Sequence, residues 1–235
     1  VAAALCAWEY EKLCAASGIP RCPFLVCAMS LAFLGGALWP EAYGPSEVLL
    51  AGLVALMAWG LFARLDLKRF LAGVSASLFG AVYVGFLLGL VLRLHAAPEG
   101  QGPRLIFLAC LLVWAGDTAA YYVGRAFGKR LLAPRVSPKK TWEGAFANAA
   151  AGVLAACVAK WTFFPELGWV DAAVLGLLLT TVGQMGDLFE SAIKRGGDVK
   201  DSSGILPGHG GMLDRLDSLL FSGPVLYYYH QVVMA

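Results

Sequence analysis

The sequence predicts an all-α, polytopic integral membrane protein. Hydrophobic residues make up 59% of the 235-residue chain, charged residues only 14%, and the mean hydropathy is +0.70. Soluble domains carry about 25% charged residues, so the composition excludes an ordinary soluble protein. The apolar runs are long and do not alternate with a period of two, which argues against a membrane β-barrel.

The apolar runs define about eight transmembrane segments, the first of them truncated. A helix needs about 20 residues to span a bilayer. Val1–Trp8 is too short, so we expect it to be the end of a longer first helix. Pro, Gly and charged residues separate the remaining runs, as is typical of helix ends. These runs are Pro23–Trp39, Val48–Phe62, Leu71–Leu92, Leu105–Val123, Gly144–Lys160, Val170–Gly186 and Leu219–Met234.

We expect one membrane-embedded domain over residues 1–235, with N-terminal helices in 1–104 and catalytic helices and cytoplasmic loops in 105–235. Of the 18 Lys and Arg residues, 15 fall in one set of loops and only Arg93, Arg104 and Lys160 in the other. Lys and Arg are enriched in cytoplasmic loops, so the first set is predicted to face the cytoplasm. The net charge of +2 is too small to indicate nucleic-acid binding. The six cysteines form no CxxC pair, which favours buried thiols over a disulfide or zinc framework.

The densest group of charges lies in residues 184–218, between the last two apolar runs. Charge beside a bilayer is costly unless it has a function. Two helix ends here each carry a pair of carboxylates on one face, and such pairs can converge on one Mg²⁺ ion. Acids that only cap helices or pair with arginines are the alternative. The predicted metal ligands are Asp187, Asp214 and Asp217. The predicted cofactor is therefore Mg²⁺, with a second cation left open.

The same region contains cations suited to phosphate and a glycine-rich loop. Four glycines among the eight residues 204–211 allow backbone N–H groups to approach an anion, although an ordinary connecting loop is the alternative. The candidate catalytic residues are Asp187, Asp214, Lys194, Arg195, Lys200, Asp201, Arg215 and His209. Carboxylates for a hard metal beside cations for phosphate predict metal-assisted phosphoryl chemistry at a membrane surface.

A second polar stretch places six cations between Arg125 and Lys140. A triphosphate or anionic-lipid site is one interpretation, and a topology signal with headgroup contacts is the other. Asp117 lies inside an apolar run, where an ionisable residue is a functional candidate by default. The candidate substrate-binding residues are Asp117, Arg125, Ser137, Lys139, Lys140, Thr141, Trp142, Gly208, Gly210 and Gly211.

The run Ser191–Asp217 resembles, without a break, the signature of the phosphatidate cytidylyltransferase family, also called CDP-diacylglycerol synthases. Further matches are Asp117–Arg125, Ser137–Gly144 and Trp8–Tyr10, and together they keep the family's order over nearly the whole chain. The chain departs from the family pattern in two places. The family usually begins with a further hydrophobic segment before the position of Val1, and Ala119 stands where Gly is expected.

The resemblance implies transfer of a cytidylyl group from CTP to phosphatidate, giving CDP-diacylglycerol and pyrophosphate, with Mg²⁺ bound at Asp187 and Asp214. The implied partners are CTP, phosphatidate and membrane lipid but no nucleic acid, and a homodimer is left open. The implied location is the bacterial inner membrane, as a multi-pass protein whose active site is on the cytoplasmic face.

The alternative is a related membrane cytidylyltransferase or kinase that acts on another lipid phosphate or isoprenoid. A transporter is disfavoured because the acids cluster at the cytoplasmic ends of the runs. A CDP-alcohol phosphotransferase is disfavoured because its DGxxAR core is missing.

Overall fold

The computed structural model describes residues 1–63, 66–205, 207–208 and 210–234, and most of these are helical. The α-helices are α1 (Ala2–Ala16), α2 (Pro23–Leu38), α3 (Pro45–Phe62), α4 (Leu67–Gly80), α5 (Leu87–His95), α6 (Gln101–Phe127), α7 (Trp142–Thr162), α8 (Trp169–Gly196) and α9 (Leu213–Tyr229). A π-helical segment, Ala81–Phe86, joins α4 to α5, and a second one, His230–Met234, follows α9. A short 3₁₀ turn, Pro98–Gly100, precedes α6.

Five helical segments in the described ranges are long and apolar enough to cross a membrane. They are Pro45–Phe62, Leu67–His95, Gln101–Phe127, Trp142–Thr162 and Trp169–Gly196, whereas Pro23–Leu38 is apolar but shorter. The prediction of an all-α, polytopic membrane protein is therefore confirmed. The number of eight spans, the truncated first segment and the division at residue 104 stay predictions.

Large apolar side chains on the outside of these helices indicate which surface faces lipid. On α3, Leu50 and Phe62 are exposed, and on α7 Phe146, Leu154 and Trp161 are exposed. Soluble proteins rarely expose so much contiguous apolar surface. The exposed side chains therefore suit hydrocarbon rather than water, as expected of an integral membrane protein.

The sequence analysis did not predict a small antiparallel hairpin between α6 and α7. Strand β1 (Leu131–Ala133) pairs with β2 (Ser137–Thr141), and Leu131 lies opposite Thr141. The strands have three and five residues and no apolar alternation, so they carry none of the pattern by which strands are recognised. Their positions instead follow from their neighbours, because the Trp142 N–H donates to the Arg130 carbonyl and closes the hairpin onto α7.

The described residues divide into two compact units. The first comprises Val1–Arg93 and Ile193–Leu216, and the second comprises Leu94–Ala192 and Asp217–Ala235. In the first unit, α2 packs against α1, α3 and the π-helical segment 81–86. A Cβ at Gly85 would lie 2.3 Å from the Ser30 Cα, so this glycine allows the π-helical segment to approach α2 closely.

Leucines and alanines from α6, α7, α8 and α9 form the core of the second unit. Its fully buried members include Leu105, Leu112, Ala156, Leu175 and Leu226. Glycines bring these helices still closer together. In a bilayer the hydrophobic effect does not drive helices together, so they associate by close packing, which small residues allow. A Cβ at Gly176 of α8 would meet the Val153 backbone of α7 at 2.5 Å, and one at Gly186 would lie 2.6 Å from the Asp217 carbonyl of α9.

Gly186→Ala tests the close approach of α8 and α9 in this unit. The added methyl would meet a backbone carbonyl that cannot rotate away, so we expect a loss of about 1–3 kcal/mol in stability. Gly183→Ala, one turn earlier, is the matched control. Its methyl would lie 3.3 Å from a Val113 methyl and 3.5 Å from the Ser218 Cβ, and alanine favours the helix. Thermal unfolding in detergent should rank Gly186→Ala below both wild type and Gly183→Ala; equal midpoints would contradict the packing.

The buried Glu11 side chain should make the stability of the protein depend on pH. The side chain is 1% exposed, and both carboxylate oxygens are buried, with the Cys22 backbone N–H, among the described residues, as the one backbone donor close enough to favour the charged form. Burial raises the pKa of Glu11 from 4.5 to about 7, with partial opposition from the nearby Arg21 charge. Because the folded state holds this proton more tightly, stability should fall as pH rises from about 4.5 to about 7.

Glu11→Gln should remove this dependence and make the protein more stable than wild type at pH 8, but not at pH 4. Unfolding midpoints of both proteins at the two pH values make the test. A wild-type advantage at pH 8 would contradict the buried, raised carboxyl.

Candidate active site

A pocket of about 640 Å³ opens in the second unit, at one end of α6, α7 and α8. Its walls combine carboxylates, cations and small residues. The lining residues are Asp117, Ala120, Tyr121, Gly124, Arg125, Lys139, Lys140, Thr141, Gly144, Ala145, Gln184 and Asp187. Six of them were predicted from the sequence, and they come from segments as far apart as residues 117 and 187.

One face of α6 forms the first wall. Asp117, Tyr121 and Gly124 follow a helical spacing of three to four residues, so they share a face. The Asp117 Oδ1 accepts a hydrogen bond from the Asn148 amide at 3.3 Å, and the Arg125 guanidinium donates to the Tyr121 hydroxyl at 3.2 Å. Asp117 is thus held by a neutral donor and stays free to attract a cation.

The β2 strand and the start of α7 form the second wall. The Thr141 hydroxyl caps α7 by accepting from the Gly144 N–H at 3.2 Å. Gly144 itself allows α7 to approach α6, since a Cβ there would lie 2.8 Å from the Ala120 carbonyl. The Glu143 carboxylate accepts from the Lys129 N–H at 3.1 Å, which ties the hairpin to the helix start. These contacts fix the short strand that carries Lys139 and Lys140.

An ion pair joins the second wall to α8. The Lys140 Nζ lies 2.6 Å from the Asp187 Oδ2, with side chains 22% and 31% exposed. No other described group accepts from this buried ammonium, which carries three N–H groups. The Asp187 Oδ1 accepts from the Ser191 hydroxyl at 3.3 Å. Asp187 and Lys140 therefore face the same pocket, and the lysine keeps N–H groups that can donate to a ligand.

The close contact at Gly186 also brings α9 beside Asp187. Because Gly186 has no side chain, the Asp217 carbonyl can approach the residue next to Asp187 in sequence. The Asp217 Oδ1 accepts from the Ser218 N–H at 2.6 Å. Two of the three predicted metal ligands thus lie on helices that touch within the second unit.

The third predicted metal ligand, Asp214, belongs to the first unit and has several partners there. The Lys194 Nζ lies 2.6 Å from its Oδ1, and its Oδ2 accepts from the Ser202 and Gly211 N–H groups at 3.0 and 2.8 Å. Only 8% of the Asp214 side chain is exposed. In this structure Asp214 organises the loop before α9, so its role as a metal ligand stays a prediction.

Two glycines of the glycine-rich loop adopt a left-handed backbone conformation, and one N–H group of the loop already has an acceptor. Gly208 and Gly210 have φ values of +76° and +78°, which favour glycine. The Gly211 N–H donates to Asp214 rather than facing an open site. Anion binding by these three glycines stays a prediction, and His209 lies outside the described residues.

The remaining predicted residues divide between the two units. Arg195 donates to the Val199 carbonyl at 3.0 Å and is exposed. Lys200, Asp201 and Arg215 are also exposed. Ser137 and Trp142 lie on β2 and at the start of α7, but they are not part of the pocket lining as the described residues define it.

The oxygen donors of the second unit fit a hard cation. Asp117 and Asp187 line the same pocket together with Gln184, and carboxylate and amide oxygens suit Mg²⁺. In neither unit do the described residues bring together three or more His, Cys, Asp or Glu side chains as a metal cluster. Mg²⁺ commonly completes its shell with water and substrate phosphates, so the donor set fits an ion that arrives with a nucleotide.

Three polar residues of this site, Tyr121, Gln184 and Asn148, were not among those predicted from the sequence. Tyr121 follows Asp117 by four positions and Gln184 precedes Asp187 by three, so helical spacing alone could have placed both on the functional faces. Asn148 carries a weaker signal, an amide within an apolar run.

Comparison with known proteins gives consistent matches. A sequence model of the cytidylyltransferase family matches residues 1–233. The chain is similar to the phosphatidate cytidylyltransferase of Bacillus subtilis, with 40% identity over 148 residues covering 63% of this chain and 55% of the relative. The Brucella suis protein of that name is 45% identical over 150 residues, covering 64% and 55%. The Mycobacterium bovis protein is 33% identical over 214 residues, covering 86% and 68%.

The chain spans little more than half the length of the first two of these relatives. The family match nevertheless extends over nearly all of its residues and includes every segment that lines the pocket. The chain therefore belongs to the cytidylyltransferase family.

Proposed function

We propose that this chain carries the catalytic part of a membrane-bound phosphatidate cytidylyltransferase. Such an enzyme transfers the cytidylyl group of CTP to phosphatidate and releases CDP-diacylglycerol and pyrophosphate. The relatives that carry this name share 33–45% identity with the chain. Because the chain matches only part of their length, the activity, the substrates and the partners are proposals.

The pocket around Lys140 and Asp187 is the observation that carries the proposal. It combines three cations (Arg125, Lys139 and Lys140) with two carboxylates in about 640 Å³. Among the described residues the Lys140 ammonium contacts the Asp187 carboxylate and no other acceptor, so it keeps N–H groups that can donate to phosphate oxygens. Cations that hold the triphosphate and acids that attract its counterion suit a nucleotide better than a neutral ligand.

The proposed reaction asks little acid–base chemistry of the protein. The second pKa of a phosphate monoester is about 6, so the phosphatidate headgroup is largely a dianion at neutral pH. One of its oxygens attacks the α-phosphorus of CTP, the bond from that phosphorus to the β-phosphate oxygen breaks, and the electron pair leaves with pyrophosphate. The obstacle is repulsion between two polyanions, which Arg125, Lys139 and Lys140 would reduce.

We propose Mg²⁺ as the cofactor, held in the second unit by Asp187 with Asp117 or Asp217. When bound, it would neutralise the polyphosphate and the departing pyrophosphate. The protein's own contribution is to hold Asp187 in place, through Lys140 on one oxygen and Ser191 on the other.

The position of the pocket at the ends of membrane-spanning helices explains how a lipid headgroup could reach it. The lining residues lie at the ends of α6, α7 and α8, all of which are candidate spans. In the sequence, 15 of the 18 basic residues fall in the set of loops predicted to be cytoplasmic, and Arg125, Lys139 and Lys140 of the pocket belong to that set. This favours the cytoplasmic face, where CTP is found. A homodimer remains an open expectation.

The position of the label in the product tests this function against the kinase alternative. Purified protein in phosphatidate-containing micelles would receive CTP labelled either at the α- or at the γ-phosphate. Cytidylyl transfer places the α-label in a lipid-extractable product and the γ-label in pyrophosphate. A γ-label in the lipid fraction would indicate a kinase, and no lipid label from either CTP would refute the proposal. Chelation by EDTA should stop incorporation, and added Mg²⁺ should restore it.

The double substitution Lys139→Gln with Lys140→Gln should reduce kcat/KM for CTP by about 100-fold or more, because the cations contact anionic substrate. The matched control is Lys129→Gln with Arg130→Gln. It removes the same two charges from the same stretch, but neither residue lines the pocket. If the cations only set topology, both double variants should behave alike in correctly oriented protein, and that result would contradict the assignment.

A further inference from the structure

Glu9 of α1 is fully buried, yet its carboxylate accepts hydrogen bonds from the loop that precedes α9. The Met212 N–H donates to Oε1 at 3.0 Å and the Leu213 N–H donates to Oε2 at 2.7 Å. The Ser203 hydroxyl donates to Oε1, and the Ser202 hydroxyl lies 3.2 Å from Oε2. All these residues belong to the first unit, so the contacts lie within one compact body.

These contacts make Glu9 a cap for α9 from about 200 residues away. The first N–H groups of a helix have no partner within the helix, and Met212 and Leu213 supply two of them. A carboxylate at this end also interacts favourably with the helix dipole. Glu9 therefore fixes where α9 begins and in which direction its first turn presents Asp214 and Arg215.

The Ser202 hydroxyl links Glu9 to Asp214. It lies 3.2 Å from Glu9 Oε2 and 2.8 Å from Asp214 Oδ2. A hydroxyl has one hydrogen, so at any instant it donates to only one of the two carboxylates. A change at Glu9 should therefore alter the partners of Asp214 as well as the backbone that Glu9 holds directly.

At Gly211 the loop lies so close to Ser202 and Glu9 that a side chain does not fit. A Cβ at Gly211 would lie 2.1 Å from the Ser202 Oγ and 2.5 Å from the Glu9 Oε1. Gly211 also donates its N–H to Asp214 at 2.8 Å. A glycine, two serines and two carboxylates thus form one interlocked group that sets the conformation of the loop.

We propose that Glu9 is a positioning residue for the transfer reaction: it holds the start of α9 so that Asp214, Arg215 and Lys194 keep their catalytic arrangement. This inference rests on the proposed function. Glu9 acts through the loop and α9 and makes no contact with substrate. Its loss should therefore lower kcat more than it raises KM for CTP.

Glu9→Gln is the sharpest variant because it keeps the size of the side chain. Backbone N–H groups cannot reverse, whereas serine hydroxyls can turn to accept. The Gln amide group would place its own donor against Met212 or Leu213 and leave one backbone N–H without an acceptor. Glu11→Gln is the matched control: it neutralises a buried glutamate on the same helix that makes no hydrogen bond to the described residues of the loop before α9.

The experiment measures kcat and KM for CTP together with amide hydrogen exchange in residues 210–216. For Glu9→Gln we expect kcat to fall at least tenfold, KM to change less than threefold, and exchange at Met212 and Leu213 to accelerate at least tenfold. Glu11→Gln should match wild type in all three. Should Glu9→Gln fail to fold, Glu9→Asp keeps the charge on a shorter side chain, and its kcat should still fall while exchange accelerates.

An active wild type with unchanged kcat in the Glu9 variant would overturn the positioning role, whether or not exchange accelerates. Equal loss of activity in Glu11→Gln would overturn it too, because the effect would then come from any buried charge in α1. A wild type that forms no CDP-lipid would refute the proposed function and the positioning role with it. Exchange at Met212 and Leu213 would still report the cap, which separates the two failures.

Discussion

The Lys140–Asp187 ion pair is the interaction on which the candidate site depends. It joins a short strand to a helix that runs out of an apolar core, and both side chains are partly buried. A carboxylate placed at such a position without a partner would be costly. Lysine offsets that cost here while keeping hydrogen-bond donors for a ligand. The pair can therefore stabilise the pocket and still be broken by a phosphate and its counterion without leaving a buried charge alone.

In the first unit, two buried carboxylates are stabilised mainly by hydrogen bonds. Glu9 and Asp214 accept from the backbone and hydroxyl groups of the loop before α9, and Lys194 balances part of the charge. Charge-assisted hydrogen bonds are shorter and stronger than neutral ones, so the two acids hold the backbone of this loop. Gly211 is required because the carboxylate of Glu9 comes so close.

The sequence predicts most of the fold because each apolar run is long enough to demand a helix. It also predicts Asp117, Arg125, Lys139, Lys140, Thr141 and Asp187, since polar residues beside a bilayer need a reason to be there. The β1–β2 hairpin escapes prediction because its strands are short and lack alternation. The contact of Glu9 with Met212 and Leu213 escapes for a different reason: no local pattern reports a hydrogen bond across 200 residues. Asp214 is found by sequence, but its bonds to Ser202 and Gly211 are not.

We propose that Lys140 and Asp187 face substrate and do more than tie β2 to α8. Exchanging the pair, Lys140→Asp with Asp187→Lys, separates the two roles when it is compared with each single substitution. The ion pair should re-form in the exchanged protein, and its unfolding midpoint should recover toward wild type relative to the single variants. We predict that transfer of the α-label from CTP to lipid stays at the low level of the single variants, because the charges face the substrates the wrong way round. Recovery of wild-type transfer in the exchanged protein would mean that the pair only ties β2 to α8, and it would contradict a role in facing substrate.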